Sequence, residues 1–232
     1  RRLGAAAVDW RLAPDRLLEA EVELSRQSQP STPGFSLLGM PPAAVLPSPA
    51  AIDPRTNLNN QAWSLPVVFE NTTGSLRYTH ELGTDSALTA HLMRQRLRTD
   101  DRIAFPFGCS AENPNFDPPY SYCRDGSFDF YDFRSENERR TSDAAQLGWR
   151  TKARWGGLEH RVSAGVLATR FAARFGRQAY NWVGVGTVDG LSTVPADPSL
   201  TDENTQRTER STEWSLQDAI TLNPQWQLWA GL

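Results

Sequence analysis

Apolar and polar residues alternate strictly along most of this chain. From Arg16 to Arg26, Leu18, Ala20, Val22 and Leu24 fall on one face, and Glu19, Glu21, Glu23 and Ser25 on the other. Gly4–Leu12 repeats the pattern with Ala6, Val8, Trp10 and Leu12, and Ser75–Leu82 with Leu76, Tyr78, His80 and Leu82. Ala144–Trp155 sets Ala145, Leu147, Trp149, Ala153 and Trp155 against Gln146, Arg150, Lys152 and Arg154. A period of two marks a β-strand with one apolar and one polar face. Four looser segments fit the same template: Ala87–Thr99, His160–Ala168, Ser211–Leu222 (with Asp218 as an exception on its apolar face) and Trp226–Leu232. About eight strands are predicted, and no helix.

The links between these segments alternate too. Those near Ala13-Pro14-Asp15, Gly83–Ser86, Gly156-Gly157 and Asn223-Pro224-Gln225 are short and built from turn residues. Between them lie long polar segments, roughly 27–66, 100–127 and 176–207. In an antiparallel up-and-down meander this places every short turn at one end and every long loop at the other. Membrane β-barrels are organised in that way, with short periplasmic turns and long extracellular loops. A soluble β-sandwich also alternates, because antiparallel sheets commonly keep one wet face. Three features favour the barrel. Loops of this length are uncommon in compact domains, and the polar faces carry enough charge to suit a water-filled lumen. In addition, Trp10, Trp149, Trp155, Trp214 and Trp226 sit on apolar faces near the short turns, as girdle indoles would.

Composition narrows the picture further. The 24 Lys+Arg against 27 Asp+Glu leave a net charge of -3, which gives no electrostatic basis for a nucleic-acid partner. Eight Trp, 10 Phe and 5 Tyr are too many aromatics for a solvated coil. The longest uncharged stretch, Gln27–Ile52, is interrupted by Pro30, Pro33, Pro41, Pro42, Pro47 and Pro49, which forbids a membrane-spanning helix there. The chain begins at Arg1 without an initiator Met and ends at Leu232 within an alternating segment. We therefore expect residues 1–232 to be one piece of a barrel from a longer protein.

Candidate chemistry is sparse. Cys109 and Cys123 share one long segment, which points to a disulfide stapling an exposed loop. The alternatives are two free thiols or half a metal site, although His80, His91 and His160 lie on other strands. No HExxH, GxSxG, P-loop or GxGxxG signature is present, and the many carboxylates fit a solvated strand face, so no catalytic residue is expected. Aromatics collect in the long segments. Tyr122, Tyr131, Phe133, Tyr180 and Trp182, together with arginines such as Arg134, Arg139, Arg140, Arg174 and Arg177, are candidate contacts for an aromatic, anionic ligand. The competing reading makes these rings an outer girdle and loop packing.

Four stretches carry a family likeness: DPRTNLNNQAWS (53–64), MRQRLRTDDRIAFPFGCSAEN (93–113), DFYDFRSENERR (129–140) and LTDENTQRTERSTEW (200–214). They resemble the barrel of TonB-dependent siderophore receptors. The resemblance implies an N-terminal plug preceded by a TonB-binding box, then a barrel of about 22 strands, of which this chain would be an early part without the plug. It implies outer-membrane transport of a ferric siderophore without covalent chemistry or cofactor, driven by TonB through the plug. Glu19, Glu21, Glu23, Arg150, Lys152 and Arg154 would line the lumen. Two other functions fit the bare pattern, a small passive porin or adhesin-type barrel and a secreted soluble β-sandwich binding protein.

Overall fold

Each alternating segment becomes a strand in the structure, a computed structural model that describes residues 1–48 and 52–232. The strands are β1 (Arg2–Ala13), β2 (Arg16–Gln29), β3 (Leu65–Glu81), β4 (Ser86–Pro106), β5 (Ser127–Trp155), β6 (Leu158–Arg174), β7 (Ala179–Thr187), β8 (Arg207–Asn223) and β9 (Trp226–Gly231). All pairings between them are antiparallel, in the order β1-β2-β3-β4-β5-β6-β8-β9, with β7 on the upper part of β5. The sheet does not close on itself, and β1 and β9 are its edges.

Register fixes the two faces. Trp10, Leu18, Tyr78, Ala90, Leu147, Val166 and Trp214 are successive cross-strand partners and so share one side. The adjacent row, Asp9, Glu19, Arg77, His91, Gln146, Leu167 and Glu213, lies on the other. Among the described residues no second layer covers the apolar side: Trp10 is 62% exposed, Leu92 55% and Trp214 74%. A sandwich would bury these side chains, whereas here they form one continuous uncovered surface, far larger than monomeric soluble proteins tolerate. Along β5 the outward row from Ala145 to Trp155, at about 3.3 Å per residue and a tilt near ~40°, spans roughly 25 Å, the height of a membrane barrel's apolar band.

Asp218, the exception on that face, is paired. It accepts a hydrogen bond from His160, Oδ2 to Nδ1 2.7 Å, close to the short-turn end. His80 and Asp15 make the equivalent pair at 3.1 Å near the β1–β2 turn. Trp155 and Trp226 flank short turns, but Trp214 falls midway along β8, so not every indole expected near the turns lies there.

Among the described residues the meander has nine strands rather than about eight. The added strand, β7, lies in the segment 176–207 that reads as a loop, because Gly184, Gly186 and an extra residue at Val183 break its alternation. The segment 100–127 is likewise strand at both ends, since β4 runs to Pro106 and β5 begins at Ser127.

Candidate functional site

Beyond the apolar band, the ends of β4 and β5 continue as an arm, with β7 beside β5 in place of β6. A bulge at the base of the arm decides what each face shows. Thr99 pairs with Glu138 and Asp101 with Ser135, so Glu136 and Asn137 together oppose Asp100, and Asn137 takes a φ of 58°. Asp100 holds it there by accepting the Asn137 N–H at 2.7 Å. Below the bulge the even residues of β5 face the lumen. Above it the odd ones do, so Tyr131 and Phe133 share the side of Glu19 and Arg77.

The lumen side of the arm is an aromatic wall. Tyr131 and Tyr180 stack in parallel, centroids 4.4 Å apart with a 6° interplanar angle. Phe105, Phe107, Phe116 and Tyr120 extend the cluster, with Phe107 and Tyr120 centred 4.7 Å apart. Beneath the wall, buried Asp129 accepts hydrogen bonds from the Ser110 N–H at 2.6 Å, the Ser110 hydroxyl at 3.0 Å and the Trp182 indole at 2.9 Å. Burial, with the Asp129 charge nearby, pushes the Tyr131 and Tyr180 hydroxyls above their ordinary range, so both stay neutral donors. Cys109 and Cys123 are joined, tying the base of the 107–126 loop that carries Phe116 and Tyr120.

The opposite side of the arm would face outward unprotected, and loops cover it. Phe128, Phe130, Ala104 and Val183 pack there with Leu58, Tyr122 and Val194. Gly186 is required at this contact, because a Cβ would overlap the Phe128 and Phe130 rings. The segment Asn57–Ser64 fastens the loops by side-chain hydrogen bonds. Asn59 accepts from the Ala104 N–H and donates to the Ser31 carbonyl, and Gln61 accepts from the Val194 N–H and donates to the Ser192 carbonyl. Trp63 donates to the Val194 carbonyl at 3.0 Å. Asp132, fully buried, accepts from Arg102, Arg134 and the Asp197 N–H. These groups satisfy backbone that would otherwise be buried without partners.

Where wall and lumen meet, polar residues cluster. Glu138 accepts from Thr99 at 3.0 Å, from Arg140 at 2.7 Å and from Ser135, while Gln178 donates to Ser135. Arg140 lies over the Phe175 ring at 5.1 Å. Burial, and then the Glu138 charge, pushes the neighbouring Asp101 carboxyl upward.

Of the residues nominated from sequence, Tyr131, Phe133, Tyr180 and Trp182 come together on the lumen side, with Trp182 56% exposed. Tyr122 is instead buried in the loop core, its hydroxyl donating to the Gly34 carbonyl. Arg134 is committed to Asp132, on the far side of the arm. Arg139 and Arg174 are cross-strand neighbours on the outward face, Arg177 is bound to Glu203, and Arg140, on the lumen side at the base of the arm, is bound to Glu138. Sequence reading missed Asn59, Gln61 and Asp132 as organisers; the run of amides in NLNNQ was the one available signal.

No family model matches the chain, and no curated protein does. Solved structures do. The ferric preacinetobactin receptor BauA of Acinetobacter baumannii superposes with a TM-score of 0.67 at 12% identity over 99% of this chain. The ferric-catecholate import receptor Fiu of Escherichia coli K12, in its closed form, gives 0.66 at 15% over 99%. The siderophore receptor PiuA of Acinetobacter baumannii gives 0.58 at 15% over 98%. The chain spans about a third of each of these proteins, 32%, 33% and 34%. Its fold is therefore that of a β-barrel wall segment as found in these receptors.

Proposed function

We propose that this chain is part of the barrel wall of a TonB-dependent outer-membrane receptor that imports a ferric siderophore. Its work is transport, with no catalytic residue and no resident cofactor. The observation that carries the proposal is the pairing of an uncovered apolar face with an aromatic wall aimed at the lumen above charged strands. Tyr131 and Tyr180 offer neutral hydroxyls and ring faces to a planar ligand group. The four resembling stretches and the superposed receptors support the same reading. TonB would engage a plug region outside this chain, and outer-membrane lipid would cover the apolar band.

The test uses the full-length gene. Its deletion is expected to abolish growth on one or a few iron carriers under iron limitation, with the wild-type gene restoring it. A Tyr131→Ala/Tyr180→Ala pair should weaken ligand binding on the order of tenfold, at about 0.5–1.5 kcal/mol per ring. Unchanged growth on every carrier would sink the proposal, and uptake that persists without TonB would favour a passive porin.

A further inference from the structure

The surroundings of the aromatic wall are acidic. Residues 107–126, which carry Phe116 and Tyr120, hold three carboxylates against Arg124 alone, and residues 175–206, which carry Tyr180, hold four against Arg177 alone. The lumen strands below continue the excess. Among the described residues, Glu21 and Glu23 on β2 and Glu213 on β8 have no ion-pair partner. Asp129 is buried under the rings, and Asp101 lies at their base. The cations on this part of the lumen face are engaged, Arg140 by Glu138 and Arg207 by Glu209. Arg102 and Arg134 are held by Asp132 on the opposite side of the arm. Arg150, Lys152 and Arg161 also face the lumen, but at the short-turn end. At ~3.3 Å per residue they stand about 40 Å along the strands from Glu138, several times the screening length of about 8 Å at physiological salt.

We propose that the aromatic wall selects a ferric chelate without net negative charge, and that its acidic surroundings exclude polyanionic chelates. This deepens the receptor reading above and rests on it. The ring faces of the Tyr131–Tyr180 stack carry negative potential, which attracts cations and repels anions. An anionic chelate would lose water against carboxylates with no free guanidinium to replace it, and like charges brought together at a binding surface suppress the wrong partner. A neutral chelate escapes both costs, and its oxygens still accept hydrogen bonds from the two tyrosine hydroxyls. In a ferric tris-hydroxamate the ligand charges just balance Fe(III), whereas a ferric tris-catecholate keeps an excess of negative charge. The first fits this wall and the second does not.

The test uses the full-length receptor in non-ionic detergent and two probes of similar size, a neutral ferric tris-hydroxamate and an anionic ferric tris-catecholate. Quenching of tryptophan fluorescence reads binding between about 0.01 M and about 1 M salt, over which the screening length falls from about 30 Å to about 3 Å. At low salt the neutral chelate is expected to bind on the order of tenfold more tightly, with an affinity that salt leaves unchanged. The anionic chelate should gain several-fold as salt rises. Asp117 supplies the charge variants, since it is exposed beside Phe116 and its carboxylate makes no hydrogen bond or ion pair. Asp117→Asn should raise binding of the anionic chelate at low salt, Asp117→Lys should raise it further, and neither should move the neutral one. Equal or tighter binding of the anionic chelate at low salt would overturn the charge selection and leave the receptor reading standing. Binding of neither chelate would also overturn the selection. If deletion of the gene then changed growth on no iron carrier, the receptor reading would fall with it.

Discussion

The side-chain carbonyl of Asn59 accepts the backbone N–H of Ala104 at 2.8 Å, with both residues buried. That bond joins the loop after β2 to the outward face of the arm. Asn59→Ala leaves the Ala104 N–H without a partner, at a cost of about 1–3 kcal/mol. The loss is local, because Ala104 sits in the arm, near the end of β4 and beyond the apolar band. Hydrogen exchange should accelerate at Ala104 and across 52–64, with the exchange of β5–β6 amides unchanged.

On β2 the outward residues Leu18, Ala20, Val22 and Leu24 are bracketed by Arg16 and Arg26. Val22 therefore sits near the middle of the band and Leu24 beside its charged rim. In the full-length protein in a bilayer, Val22→Arg should cost about 2–4 kcal/mol and Leu24→Arg about 0–1. Denaturant unfolding measures both, and equal costs would mean the band is misplaced.

Asp101 predicts a pH dependence. Its carboxyl is pushed up by burial and by Glu138, so the folded state holds the proton to higher pH than the unfolded state does. Its contribution is fully present below the ordinary carboxylate range and is lost as pH rises through the raised folded value. Protease resistance of the arm should decline over that interval. Asp101→Asn should flatten the profile and leave the arm more resistant at neutral pH.

The disulfide closes a separation of 14 residues. In the chain-entropy model its loss removes about 3 kcal/mol from the 107–126 loop. Cys109→Ser/Cys123→Ser should expose the loop to proteolysis and loosen the packing of Phe116 and Tyr120 on Phe107, while the heat resistance of the sheet stays as before.

How far the sequence could be read follows from period two. Where each residue has one wet and one oily face, as on β1, β2 and most of β5, alternation located the strands and assigned the sides. It failed where both faces are covered. Phe128, Phe130 and Tyr131 are successive or near-successive aromatics because loops bury one side of the arm and rings pack on the other. Tyr122 and Tyr131 therefore look alike in sequence, yet one is core and the other is wall. Asp132 resembles any loop carboxylate until Arg102 and Arg134, 30 and two residues away, are seen to converge on it.

The kink at Glu136 and Asn137 makes the arm easier to shorten than to straighten. Excising Asn137 leaves Glu136 alone opposite Asp100, and Tyr131 and Phe133 keep their aim. Asn137→Val is the harsher change, since a β-branched residue resists a φ of 58°. If the strand regularises at full length, every upstream side chain rotates to the opposite side, and the aromatic wall turns outward. One surplus residue thus decides which side of the sheet carries the rings.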